Sequence, residues 1–216
     1  MNQMTTENRV KVWDPLVRLF HWTLVISFAV AYLSGDEMDQ LHLYAGYVIT
    51  GLLVFRLVWG FVGSRHARFS DFVRPPGEVI DYLKSLFSGH PKRYLGHNPA
   101  GGVMVILLLV SLAGTVGTGL VMDPAFGGGG MEGAAGQSSM AMYEDDDDDD
   151  DEDDEDERYE GRGENEVVEE LHEVLANLTL FLVFLHIAGV VVSSRLHREN
   201  LVRAMITGYK PKDPEL

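Results

Sequence analysis

The 216-residue sequence predicts an all-α integral membrane protein, a four-helix bundle with both chain ends cytoplasmic. Three observations carry this. The apolar residues gather into four runs that reach, or nearly reach, the roughly 20 residues needed to cross a bilayer. Fourteen of the seventeen Lys and Arg residues fall on segments that an even number of spans puts on one side, the cytoplasmic side by the positive-inside rule. The last run carries His172 and, fourteen residues later, His186. On a helix such a step advances about 21 Å along the axis yet returns to within about 40° of the same face.

Residues 1–15 are polar and carry Arg9 and Lys11, and Asp14-Pro15 suits a helix start because proline is tolerated in a first turn. The first span is expected from Leu16 to Leu33, with His21 near its beginning. That histidine, Trp22 and the lack of a small-residue cleavage site argue against a removed signal peptide. An acidic connector, Ser34 to Gln40, leads into the second span, Leu41 to Val62, which opens on His42 and carries Arg56 fourteen residues on. Residues 63–101 form a basic cytoplasmic loop, broken by Pro75-Pro76 and containing one amphipathic, surface-lying helix in GEVIDYLKSLF. The third span, Gly102 to Met122, has no ionisable side chain, and Gly114, Gly117 and Gly119 allow close approach of a helix or a flat cofactor.

The net charge of -16 comes from one segment. Residues 123–169 hold twenty acids and two bases, and the rest of the chain is +2. This glycine- and aspartate-rich stretch cannot bury apolar surface, so it is expected as a disordered outer loop, periplasmic in a Gram-negative cell. Its charge would attract cations or a basic protein; it lacks the spaced ligands and turn glycine of a defined calcium loop. The fourth span is expected at 170–195, and a basic cytoplasmic tail follows at 196–216.

Orientation gives each histidine a depth. His21 and His186 lie in the inner half of the membrane, and His42 and His172 open their helices from the outer side. Intramembrane imidazoles are kept where they face the bundle interior and have a partner, and haem iron is the natural one. The expectation is therefore two bis-histidine haems, His21 with His186 and His42 with His172. The chain has no cysteine, which excludes disulfides, thiolate metal sites, iron–sulfur clusters and haem attached through CxxCH; any haem is non-covalent, hence b-type. Arg56 shares the face of His42 at the depth of the inner pair, where it would either neutralise a haem propionate or snorkel to headgroups. Gly46 and Gly189 are small where a porphyrin would press, or where helices pack.

The segments WDPLVRLFHW around His21, LHLYAGY around His42, GHNPAGG around His97, and HEVLANL with LHIAG around His172 and His186 resemble the prokaryotic cytochrome b561 group, which includes the b-type cytochrome subunit of nickel-iron hydrogenases. The resemblance implies four helices, two haems b and electron exchange with quinone, with His21, His42, His172 and His186 as axial ligands. It implies an electron carrier of a respiratory chain in the bacterial inner membrane, with no catalytic residue of its own; an enzyme would be a quinone-linked oxidoreductase. The expected partners are the lipid bilayer, quinone and a redox protein such as a c-type cytochrome or hydrogenase, and no nucleic acid. The long acidic insertion departs from the family's usual short connector.

Other features have plainer readings. His66, His90 and His197 stand among bases and read as solvated side chains. His97, just before the third span, is either a loop residue leading into the helix or a hydrogen-bond partner for a quinone headgroup. Trp22 and Trp59 read as interfacial aromatics. The rival functional class is a haem-free ion or metal transporter that uses the intramembrane histidines, with the acidic loop collecting cations.

Overall fold

The structure, a computed structural model, describes residues 9–35, 39–89, 92–123, 125–126 and 153–212. Element by element it runs β1 (Arg9–Lys11), α1 (Pro15–Ser34), α2 (Asp39–Val62), a 3-10 turn (Arg65–Ala67), α3 (Phe69–Phe72), α4 (Pro76–Phe87), α5 (Pro99–Met122), α6 (Asp153–Leu196), α7 (Leu201–Thr207) and β2 (Tyr209–Pro211). Four of the helices, α1, α2, α5 and the 166–196 part of α6, are long and apolar enough to cross a membrane. The all-α membrane fold stands, and the first three spans begin one to three residues before their expected starts.

α1 starts where its sequence dictates. Asp14 caps it by accepting from the Val17 amide at 2.9 Å, and Pro15 fills a first-turn position whose missing N–H costs nothing. Burial works against the Asp14 carboxylate, but hydrogen bonds from Ser64, Val17 and Trp59 outweigh it and hold the group below the usual carboxylate range.

Two packed units are distinguishable, residues 1–110 with 179–216 and residues 111–178. In the first, α1 packs on α2, with Phe20 and Phe55 rings 6.3 Å apart. Beyond the membrane ends of these helices the two chain termini meet. β1 and β2 pair antiparallel, Val10 opposite Lys210, and the Val12 and Trp13 amides both donate to the Gly208 carbonyl, at 2.9 and 3.1 Å. Gly208 has φ 87°, and a Cβ there would stand 2.8 Å from the Trp13 carbonyl oxygen, so glycine is required. Val12, Trp13, Val17, Ala67 and Ala204 form the core of this cap. Arg93 ties the loop before α5 to the tail, pairing with Glu199 and donating to the carbonyls of Pro211 (2.6 Å) and Lys212 (2.9 Å). The segments 9–13 and 208–212 are therefore packed together.

In the second unit α5 packs on α6. The Ser111 hydroxyl reaches the Leu175 carbonyl at 3.5 Å, and a Cβ on Gly114 would meet the Leu175 side chain at 3.1 Å. The glycines of α5 thus serve helix contact at Gly114 and Gly119, while a Cβ on Gly117 would meet nothing within 4 Å.

Two expectations need revision. The helix expected in GEVIDYLKSLF forms as α4, but the basic loop also holds a 3-10 turn and α3, whose Phe72 is 1% exposed. The last helix begins at Asp153, inside the stretch expected to be disordered up to residue 169. Acidic residues are favoured at a helix N-terminus, where they face the positive end of the macrodipole, and this offsets the poor helix propensity of aspartate. The acidic run at 144–152 lies outside the described residues.

Candidate haem site

His21 on α1 and His186 on α6 belong to the same packed unit and lie close enough to interact electrostatically. Both are half-buried. The buried nitrogen of His21 is Nδ1, and its ring stands edge-on to Trp22 at 5.1 Å. The two inner-half histidines, 165 positions apart in the chain, are thus brought to one region by the packing.

His42 and His172 show a common local chemistry, each within its own unit. His42 donates Nδ1–H to the Ala31 carbonyl at 2.9 Å, since a carbonyl can only accept. On α5 the Thr118 hydroxyl lies 2.9 Å from the Thr115 carbonyl and 3.1 Å from that of Gly114, so its proton points back into its own helix. The same hydroxyl oxygen lies 3.0 Å from the His172 Nδ1. In both cases an oxygen stands beside Nδ1, the arrangement that orients a ligating histidine. Gly119 gives the His172 ring its room, since a Cβ there would approach it to 3.2 Å.

Arg56 is 4% exposed. Its guanidinium carbon lies 4.9 Å from the Phe69 ring centroid and 5.8 Å from that of Phe72. Phe69 comes this close because residue 60 is glycine; a Cβ there would fall 2.1 Å from the ring. The charge is therefore held against the aromatic residues of α3. Its Nη1 is buried with no hydrogen-bond partner among the described residues.

His97 sits between Trp13 (ring centroids 4.7 Å) and Phe72 (4.8 Å), with Nδ1 buried. Burial first, then the Arg56 charge, pushes its pKa from the ordinary 6.5 down to about 3. A base depressed in this way is neutral when folded, while the unfolded chain binds a proton below 6.5. Its contribution to stability is thus complete above pH 6.5 and is lost as pH falls toward 3. At pH 5 the loss is about 2 kcal/mol. His97→Gln should flatten the decline in thermal stability between pH 7.5 and 5; an equal decline in the variant would mean another group is responsible.

Of the remaining residues, His66 is not plainly solvated, since its Nδ1 meets the Asp71 carboxylate at 2.9 Å. His197 is half-buried rather than solvated, and burial lowers its pKa despite nearby Glu199. Trp22 is exposed, as an interfacial aromatic is, whereas Trp59 donates to Asp14 at 3.4 Å. His90 lies outside the described residues. Neither Thr118 nor the Ala31 carbonyl stands out in the sequence pattern; a threonine at the depth of His172 in an otherwise apolar span is the available signal for the first.

These residues fit a non-covalent haem. The histidines offer imidazole nitrogens, Arg56 offers a buried cation for a carboxylate, and a Cβ at Gly46 or Gly189 would meet nothing within 4 Å, so neither glycine is explained by helix packing. Among the described residues no cluster of three or more His, Asp or Glu could hold a bare metal ion.

Comparison with known proteins agrees. A family model described as prokaryotic cytochrome b561 matches residues 12–208. A "Probable Ni/Fe-hydrogenase B-type cytochrome subunit" of Azotobacter vinelandii is 27% identical over 133 residues, covering 48% of this chain and 55% of that protein. A "Probable Ni/Fe-hydrogenase 1 B-type cytochrome subunit" of Escherichia coli K12 is 27% identical over 129 residues, covering 45% and 54%. The chain spans about half the length of these curated relatives. No solved structure matches it. With its four spans and a family match over nearly its whole length, the chain belongs to the prokaryotic cytochrome b561 family, membrane cytochromes b of electron transfer.

Proposed function

We propose that this membrane cytochrome b moves electrons across the bacterial inner membrane through two haems b, between the quinone pool of a respiratory chain and a redox protein. His21 and His186 ligate the inner haem, on the side of the chain ends, and His42 and His172 the outer one, an assignment that rests on their depths along the helices and on the family. The observation that carries the reading is the oxygen beside Nδ1 in both His42 and His172, which supports their orientation as ligating imidazoles.

Bound haem supplies a one-electron couple whose potential the surroundings set. The protein's own groups do the rest. Ala31 and Thr118 hold two imidazoles in orientation, the apolar faces of α1, α2 and α5 exclude water, and Arg56 faces the propionates of the inner haem with a buried positive charge. The cytoplasmic position of the ends follows from the Lys and Arg bias, and it puts the acidic connector of residues 123–169 in the periplasm. The relatives' names make a hydrogenase the leading candidate for the redox partner; a basic c-type cytochrome suits the acidic connector.

The spectrum of the purified protein tests this. Dithionite should give b-type absorption bands from two haems per chain, and a quinol should reduce at least one of them. A colourless protein would sink the reading in favour of an ion or metal transporter. Arg56→Leu should retain both haems while lowering the inner haem's reduction potential by tens of millivolts, since a lost positive charge disfavours the added electron. An unchanged potential in a redox titration would remove Arg56 from the site.

A further inference from the structure

The turn between α6 and α7 lines an open cavity of about 460 Å³ at the membrane end of the last span, and nothing in the electron-transfer site uses it. Val190 and Val191, inside the span, and Val202 on α7 form its apolar part, and Arg195, Arg198 and Asn200 its polar part. The apolar wall continues outward, because Val192, Val202 and Ile206 are all exposed. Glu199 also borders the cavity, but its carboxylate is engaged by Arg93 and Lys210, and neither Arg195 nor Arg198 has an ion pair among the described residues.

The backbone adds an independent observation. Arg198 has φ 50°, and it is the only described non-glycine residue with positive φ. It closes α6 in a left-handed conformation, with the Glu199 amide returning to the Ser194 carbonyl at 3.0 Å. Glycine is the favoured residue at such a helix end, since it avoids the Cβ penalty. An arginine there keeps a side chain at a backbone cost, and that side chain lines the cavity.

We infer that this cavity binds the headgroup of one anionic phospholipid, its phosphate between Arg195 and Arg198 and an acyl chain along Val190, Val191 and Val202. The chemistry is complementary at both ends. Phosphate oxygens accept from guanidinium donors, and the hydrocarbon lies at the depth of the span's last two turns. Arg195 is the basic residue of the last turn of α6, where the negative end of the helix dipole would repel an anion unless cationic side chains met it. Two arginines on the polar side meet that requirement.

The test uses the haem-loaded protein, reconstituted in vesicles of equal phosphatidylglycerol and phosphatidylcholine, extracted in mild detergent and weighed by native mass spectrometry. One phosphatidylglycerol should remain bound in preference to phosphatidylcholine. Arg195→Gln and Arg198→Gly should each reduce its retention about fivefold, the effect of one basic side chain near an anionic surface. Arg198→Gly relieves the left-handed strain, so a loss of lipid with full haem content cannot come from misfolding. Equal retention of phosphatidylcholine, or unchanged retention in the double variant, would overturn the inference. Displacement by millimolar inorganic phosphate would overturn it too, by showing a phosphate site in place of a lipid site.

Discussion

His186→Ala or His21→Ala should yield a protein with about half the haem of the parent, because each bis-histidine site fails when either ligand is lost while the other site keeps both. His21 and His186 share a packed unit and interact electrostatically, so the two variants should lose the same haem and show the same residual spectrum. Haem quantification and redox titration of each variant read this directly. The double variant His21→Ala/His186→Ala should be no worse than either single one, since residues that act as one site are non-additive. If instead His21→Ala and His42→Ala lost the same haem, the depth pairing would be wrong. Loss of all haem in every variant would point to a fold that needs both cofactors to assemble.

Glu199→Ala should have the largest effect on the cap that joins the chain ends. The Glu199 side chain is 3% exposed and Lys210 5% exposed, and Arg93 completes the cluster. Burial already pushes the Lys210 ammonium below its ordinary range, against the pull of Glu199. Without the carboxylate, two cations are left facing each other in a buried site. Removing one partner of such a cluster costs about 3–5 kcal/mol, because the remaining charge is uncompensated. Amide exchange across residues 201–212 should accelerate strongly, and Glu199→Gln, which keeps the shape and an acceptor, should lie between. Exchange unchanged in Glu199→Ala would mean the cap is held by the apolar core around Trp13 and Ala204 alone.

Much of the candidate site is legible in the chain's residue spacing. Four histidines at two depths, the fourteen-residue step on α6 and the glycines beside them are one-dimensional signals, because helix rise and turn convert spacing into position. The ambiguity at Arg56 is not resolvable that way. Snorkelling and a propionate role predict the same sequence, and what packs on the guanidinium, Phe69 seated against Gly60, is visible only in the tertiary structure. The start of α6 is misplaced by composition for a similar reason, since composition weighs an acid-rich stretch as a whole and misses the favourable placement of acids at a helix N-terminus.

The sequence by itself determined the number of spans, the residue types able to ligate a haem, and the clustering of bases that orients the chain. Each depends on local composition or on helical period, which neighbouring residues set between them. The tertiary structure alone decided which oxygens meet His42 and His172, what covers Arg56 and what ties the tail to the loop. Thr118 and His172 are 54 positions apart, and Arg93 and Glu199 106. Their meeting is a consequence of packing between distant segments, which no local pattern encodes.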